Sequence, residues 1–581
     1  MKMMQNPFEY EAANNLRPQD IIDYYIEDFN FSRFIQSTKN IFLIGERGSG
    51  KTMALLYNSI YIKNLREKIK GEVSFEKIGI HVPCNTPLFM KKEYLLISDD
   101  FKKSIISEHY LVLSILYSIA DSLIKIDEIV EASKKVSSCL YDDLEYMWNI
   151  SLDRDSGNFF KAVKKYVNRE SMETQKKINA FDSDSFYDNA LSFSSSVFPF
   201  LQALRQINIL KNSHFMLMLD DAHDMNEYQI RALNSWIAYR DHSLFSFKVA
   251  TAKVDRPSGI TSTGGSILEG HDYITVDMEQ AFQNAEASFY KLSKRIVEKR
   301  LQSAGINSTA EKFFPINPSL EKDFEYYKNQ AREIGIKKFG ENNKKSVKDF
   351  VYKYFRAMYF KERKDKANNP PYSGFEMIVA ISTGVVRNML VPCYWMYDNV
   401  MNTEKEQISS IPPKIQTNIL VEQSKKMWET LQYGLDKVVS NCTSYDAIHI
   451  LNLFTNLSNL FSQRLKMDIS EPRAIVFSIS QIDGFTNEYN EVIKLLRIAQ
   501  KAQFLYTRIG NAKEKGKQEI YYVPNRMLFP SVGLDPQGQH SRTSLKTIDL
   551  YNAAFHNTAF KTDSLVNKIV VERDLFYDYE E

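Results

Sequence analysis

Residues 40–65 read NIFLIGERGSGKTMALLYNSIYIKNL: an apolar run, the octet GERGSGKT at 45–52, and a second run rich in apolar residues. The chain has 21 glycines in 581 residues, yet three of them fall here within six positions, with a lysine directly behind. The first run, apolar and flanked by polar residues, predicts a buried parallel strand. The last places Leu55, Leu56, Ser59, Ile60 and Ile62 at helical period. Strand, glycine loop and helix follow in the order that a phosphate-binding loop requires. Gly45, Gly48 and Gly50 let backbone N–H groups converge on phosphate oxygens without a Cβ in the way. Glu46, Arg47 and Ser49 complete the loop. Lys51 is placed to reach the β- and γ-phosphates and Thr52 to ligate Mg²⁺, while the new helix turns its positive dipole end to the anion. The octet therefore predicts a site for ATP with Mg²⁺.

A second stretch, SHFMLMLDDAHDMNEYQIRALNSWIAYRD at 213–241, supports it. Phe215 to Leu219 predicts a strand, and acids at the carboxyl end of a parallel strand stand where such sheets bind ligands. Asp220 is placed to hold Mg²⁺ through water and Asp221 to polarise an attacking water. Asp224 has the chemistry of an N-cap for the helix that follows. FSFKVATA at 245–252 predicts another strand, ending on Thr251, a polar residue suited to touch a γ-phosphate. DYITVDM at 272–278 predicts a further one.

With these features and AISTGVVRNMLVPCYWMYDNV at 380–400, the chain resembles the AAA+ ATPases of the origin-recognition and replication-licensing clade, in their bacterial ORC-like form. NPFEYEAANNLRPQDIIDYYIEDFNFSRFI at 6–35 and QEIYYVPNRMLFPSVGLDP at 518–536 carry the likeness to both ends. The resemblance implies an α/β P-loop core, a helical lid and a winged-helix domain after about residue 440. It implies that Thr251 is sensor 1 and Arg387 is sensor 2 on the lid. It also implies self-association, with a neighbouring subunit's arginine completing the site; Arg240 and Arg256 are candidates. The chain departs from the family at Asp221, where a glutamate is usual. The gap between the two phosphate motifs is also far longer than a compact AAA+ core needs.

That gap, from about Tyr94 to Leu204, runs through helical stretches such as EHYLVLSILYSIADSLIKIDEIVEASKKV (108–136) and polar NAFDSDSFYDNALSFSSS (179–196). It predicts a helical insertion. The DDAH quartet at 220–223 also suits a superfamily-2 helicase, but such an enzyme needs a second RecA-like domain, and no second strand–helix series carries its paired arginines. His223 then reads as an ordinary surface or core histidine.

In the carboxyl third, 445–465 predicts a helix, 472–480 a strand, 486–502 a helix capped at Thr486, and 503–509 with 518–524 a hairpin around GNAKEKGK. This is the winged-helix order. Arg508, Lys513, Lys515 and Lys517 would meet DNA phosphates there, or simply keep a turn soluble. The terminal ERDLFYDYEE reads as a tail.

Composition bounds the rest. Apolar residues at 44% and charged residues at 25% predict a folded protein, and a net charge of +2 argues against coating nucleic acid by overall charge. Cys84, Cys139, Cys393 and Cys442 lie far apart without metal-ligand spacing, as expected of reduced thiols in a cytoplasmic protein. The opening MKMMQNPFEYEAANNL lacks the apolar core of a signal peptide, and no window suits a membrane span.

The domain division expected is a lead segment over 1–39, the AAA+ core over 40–280 with its insertion at about 94–204, a helical lid and linker over 281–440, and a winged-helix domain with tail over 441–581. Three functional readings follow: an ATP-dependent switch in an anti-phage defence or signalling complex with a protein effector, a DNA-binding initiator-like ATPase, and a nucleotide-bound scaffold that does not hydrolyse.

Overall fold

A computed structural model describes residues 6–9, 13–27, 31–85, 93–179, 190–239, 243–254, 258–279, 286–363, 370–402, 408–467, 472–511, 518–538 and 542–561. The chain forms two compact units, residues 11–281 and residues 1–10 with 282–581. The lead segment 1–39 thus divides between them.

The 11–281 unit is built on five parallel strands: β1 (Ile41–Ile44), β2 (Lys77–Pro83), β3 (His214–Asp220), β4 (Phe245–Thr251) and β5 (Ile274–Asp277), in spatial order β2-β3-β4-β1-β5. Strand period splits their side chains between two buried faces. Phe215, Leu217, Leu219, Phe245, Phe247 and Val249 pack on one side; Met216, Met218, Ala250, Ile41 and Leu43 pack on the other. The second face is covered by the residues before β1 (Ile21, Tyr25, Phe31, Ile35) and by Ala54 and Leu55 behind the glycine loop.

The run behind the loop is two helices rather than one: α1 (Lys51–Tyr57) and α2 (Ile60–Lys70). Asn58 and Ser59 turn their side chains back onto the carbonyls of Ala54 (2.8 Å) and Leu56 (2.6 Å), ending the first helix. A Cβ on Gly79 of β2 would lie 2.2 Å from the Asn58 carbonyl oxygen, so this break presses the backbone onto the sheet where only glycine fits.

The long gap is helical, led by α3 (Asp100–Leu123) and α4 (Phe159–Asn179). Asp99 caps α3 by accepting from the Lys102 N–H. Leu113, Leu116, Ile119, Phe160 and Val163 join Phe215, Phe245 and Phe247 in one continuous core, so these helices extend the face of the sheet. No single helix among the described residues is long and apolar enough to cross a membrane. Helix α5 (Glu227–Ile237) is capped by Asn226 in a reciprocal box with Gln229. Asp224, expected as that cap, sits two residues earlier, ending a short 3₁₀ segment, because the chain must first turn out of β3.

In the other unit, α6 (Val386–Met401) lies among helices, and α7 (Ser444–Lys466), β6 (Val476–Ser480), α8 (Thr486–Lys501), β7 (Leu505–Asn511), β8 (Gln518–Pro524), β9 (Arg542–Lys546) and α9 (Thr547–Phe555) follow. Helix, strand, helix and hairpin occur as expected, but in a four-stranded sheet ordered β7-β8-β6-β9. Thr486 is the first residue of α8, and Phe485 before it supplies no side-chain cap. Leu320, Phe324, Tyr359 and Leu431 share a core with Leu453, Phe477, Leu496 and Leu550, so the boundary placed at 440 crosses continuous packing. Within that unit Asp535 is buried between Arg356 (2.6 Å) and Arg473 (3.5 Å). Phe8 packs against Phe313, Phe314 and Tyr397.

Candidate nucleotide-binding site

The carboxyl ends of β1, β4 and β3 lie side by side, with Ile44 beside Thr251 and Leu219 beside Val249. The loop 45–52 leaves β1, and Thr251 closes β4. Asp220 closes β3, paired across to Pro83 at the end of β2. Strand order therefore gathers residues from four distant stretches along one edge of the sheet.

Gly48 (φ 88°) and Gly50 (φ 98°) are left-handed, the conformation that wraps the loop. At Gly45 a Cβ would meet Ser49 Oγ at 2.6 Å, so any larger residue there would push the Ser49 hydroxyl aside. Lys51 is 6% exposed and folds over the loop, its Nζ donating to the carbonyls of Gly45 (2.8 Å) and Glu46 (3.0 Å). Burial lowers its pKa, while Asp221 and Asp220 pull the other way. Thr52 stands in the first turn of α1 and is half-buried; Arg47 is exposed.

Asp220 is buried; its Oδ2 lies 3.1 Å from His81 Nε2 on β2, and its Oδ1 accepts the Asp221 N–H at 3.1 Å. Asp221 is left-handed (φ 55°), and its Oδ2 accepts the Asn85 amide at 3.1 Å. Burial, followed by the charge of Asp220, raises the Asp221 carboxyl above its ordinary range. Burial lowers the His223 imidazole. A cavity of about 820 Å³ opens beside these acids, lined by His81 and Asn85, by Leu56 and Ser59, and by Ser114 and Tyr117 of α3.

Beside the loop lies a cluster that the sequence did not reveal. Lys253 pairs with Asp277 (3.0 Å) and Glu279 (2.8 Å), and Glu279 Oε1 accepts the backbone N–H of Glu46 at 2.6 Å. Glu46 is buried, and burial with the nearby Glu279 charge pushes its carboxyl up to about 7. The only sequence signal was a glutamate two residues past Asp277 at the end of β5.

Two hydroxyls test whether the site suits a phosphate ligand. Thr251 is fully buried and its Oγ1 finds no hydrogen-bond partner among the described residues, and the buried Ser49 Oγ beside the glycines finds none among them either. Buried hydroxyls are ordinarily paired. With a buried ammonium, left-handed glycines and a hydroxyl–carboxylate pair of hard oxygen donors in Thr52 and Asp220, the residues present fit a nucleotide and Mg²⁺.

The other unit carries Arg387, exposed in the first turn of α6. Arg508 lies on β7 opposite Tyr521, half-buried, with Nη2 3.5 Å from the Thr383 carbonyl. Lys513, Lys515 and Lys517, and also Arg240 and Arg256, lie outside the described residues.

A parallel sheet ordered β5-β1-β4-β3-β2, with a P-loop after β1, acids after β3 and a polar residue closing β4, defines the AAA+ class of P-loop proteins. The ORC-CDC6-like family model matches residues 6–545, and the chain belongs to that family. No curated protein matches it in sequence. Among solved structures it is similar to Cdc6p from Pyrobaculum aerophilum at 10% identity, over 95% of this chain and 97% of that one, with a TM-score of 0.30.

Proposed function

We propose that this protein is an ATP-controlled switch that hydrolyses ATP slowly and whose nucleotide state governs binding to duplex DNA. The observation that carries the switch is the sheet edge itself: Lys51, Thr251, Asp220 and Asp221 converge there, with the Lys51 ammonium held by loop carbonyls it can exchange for phosphate oxygens. In this reading Gly45 to Thr52 cradle the phosphates, and Thr52 and Asp220 hold Mg²⁺, which screens phosphate charge. Thr251 donates to the γ-phosphate, Asp221 orients water, and Arg387 reports the γ-phosphate as sensor. Slow turnover is supported by Asp221, shorter than the usual glutamate and tethered by Asn85. Self-association with a neighbour's arginine belongs to the same proposal, with Arg240 and Arg256 as candidates.

The DNA output is supported by the order α7, β6, α8, β7, β8, which we read as a winged helix. Exchanging Lys513, Lys515 and Lys517 together for Ser should weaken duplex binding and lower its salt slope by about one unit per lost phosphate contact. ATP affinity should not change. A wild-type chain without salt-dependent affinity for duplex DNA, with or without ATP, would remove the DNA output.

A second reading keeps the switch and gives it a protein effector, in a defence or signalling complex. Leu96 and Phe101, large apolar residues 89% and 71% exposed at the start of the helical stretch, favour it. Changing both to Ser should release a co-purifying partner without altering ATP affinity.

A further inference from the structure

The loop that launches α6 is held more tightly than a helix start needs. Thr383 (φ 58°) and Gly384 (φ 85°) are left-handed in succession. A β-branched residue resists that conformation, so the surroundings must impose it. The Thr383 hydroxyl donates to the Ile381 carbonyl at 3.1 Å and accepts the Arg526 N–H, just past β8, at 2.9 Å. The Thr383 carbonyl takes Arg508 of β7. Asn388, in the first turn of α6, donates to the Tyr506 hydroxyl of β7 at 2.8 Å and to the Ser382 carbonyl at 3.3 Å. Val385 is buried against Tyr506 and Val523, one residue from each hairpin strand.

Arg387 stands exposed between two anchored positions, Val385 and Asn388. Successive helical residues are rotated by about 100°. Fixing 385 and 388 against the hairpin therefore fixes the rotation of this turn and the direction in which Arg387 leaves it.

We infer that the β7–β8 hairpin is the positioning element for Arg387, with Tyr506 and Asn388 as its positioning residues. The inference rests on the reading of Arg387 as the γ-phosphate sensor. A ligand that displaces the hairpin then redirects the arginine, and by linkage γ-phosphate contact alters hairpin affinity.

The test compares ATP and ADP affinities of the full chain, since only ATP carries the group that Arg387 would touch. Arg387→Ala should reduce the ATP-over-ADP preference. Tyr506→Phe keeps the ring against Val385 and Val523 and removes only the hydroxyl. It should reduce the same preference up to about tenfold, the scale of one hydrogen bond, with ADP affinity unchanged. Asn388→Ala should do likewise, and Tyr506→Phe should add nothing once Arg387 is Ala. If Arg387→Ala lowers the preference while Tyr506→Phe and Asn388→Ala do not, the positioning inference falls and the sensor reading stands. If Tyr506→Phe weakens ATP and ADP equally, the contact is merely structural and the inference falls. If Arg387→Ala leaves the preference intact, the sensor reading falls first and takes the inference with it.

Discussion

Asp221 and Thr383 are both non-glycine residues held left-handed, at φ 55° and 58°, a conformation costing roughly 1–2 kcal/mol per residue. Their side chains are held very differently. The Asp221 carboxylate is half-exposed at the end of a strand, where among the described residues Asn85 supplies a neutral tether to one oxygen. The Thr383 hydroxyl is buried and used twice, and its carbonyl takes a third contact. One backbone device thus serves two purposes. At Asp221 it presents a lightly held carboxylate beside the glycine loop's sheet edge; at Thr383 it locks a helix start in place.

The sharpest way to break the contrast is at the group said to act. Asp221→Asn should slow ATP turnover by roughly 10²–10⁴-fold, the usual worth of a positioned base, while calorimetry shows ATP still bound through Lys51 and Thr52. Wild-type phosphate release in that variant would move the water-orienting role elsewhere. Lys51→Ala comes next. It removes a buried charge facing the phosphates and should cost about 2–5 kcal/mol of ATP binding, with the unfolding transition little changed.

On the locked side, Thr383→Val keeps the shape and removes the acceptor for the buried Arg526 N–H. A loss of about 1–3 kcal/mol in stability to denaturant is expected, and a neutral result would show that the loop is not fixed through that hydroxyl. Asn85→Ala should release the Asp221 carboxylate and raise turnover by about threefold, one modest hydrogen bond's worth; slower turnover would show that the tether aligns the acid rather than restrains it.

The smallest effect is a pH dependence at Glu46. Its carboxyl titrates near 7 in the folded chain against 4.5 in an ordinary setting, so folding favours its protonated form between those values. That contribution is full below about 4.5 and is lost as pH rises through about 7. Ionisation also places a negative charge under the phosphate loop. ATP affinity should therefore fall modestly as pH rises through 7, and Glu46→Gln should flatten the fall relative to wild type.

Much of the fold was legible because its signals are local. β1, the loop and its helix, the acids after β3 and the hairpin strands announce themselves within a dozen residues each. The misreadings were also local. Asp224 and Thr486 have capping chemistry, but Asn226 caps α5 and Thr486 lies inside α8, because the path of the chain decides which residue stands at the cap. Lys248 interrupts an apolar strand, and sequence offers no reason for it. In the fold it is fully buried, its Nζ donating to the carbonyls of Ser37 and Lys39, and burial brings its pKa down to about 7.

By itself the sequence determined that a glycine loop with its lysine lies between a strand and a helix, and that acids and a threonine stand at the carboxyl ends of two further strands. Glycine spacing, strand period and helix starts are set by neighbours along the chain, so they can be read there. Only the tertiary structure decided that Glu279 takes the Glu46 N–H, that Asn85 tethers Asp221, and that β7 and the turn after β8 hold the start of Arg387's helix. Each of those contacts joins residues more than a hundred positions apart, and such partners become neighbours only when strand order and packing bring them together.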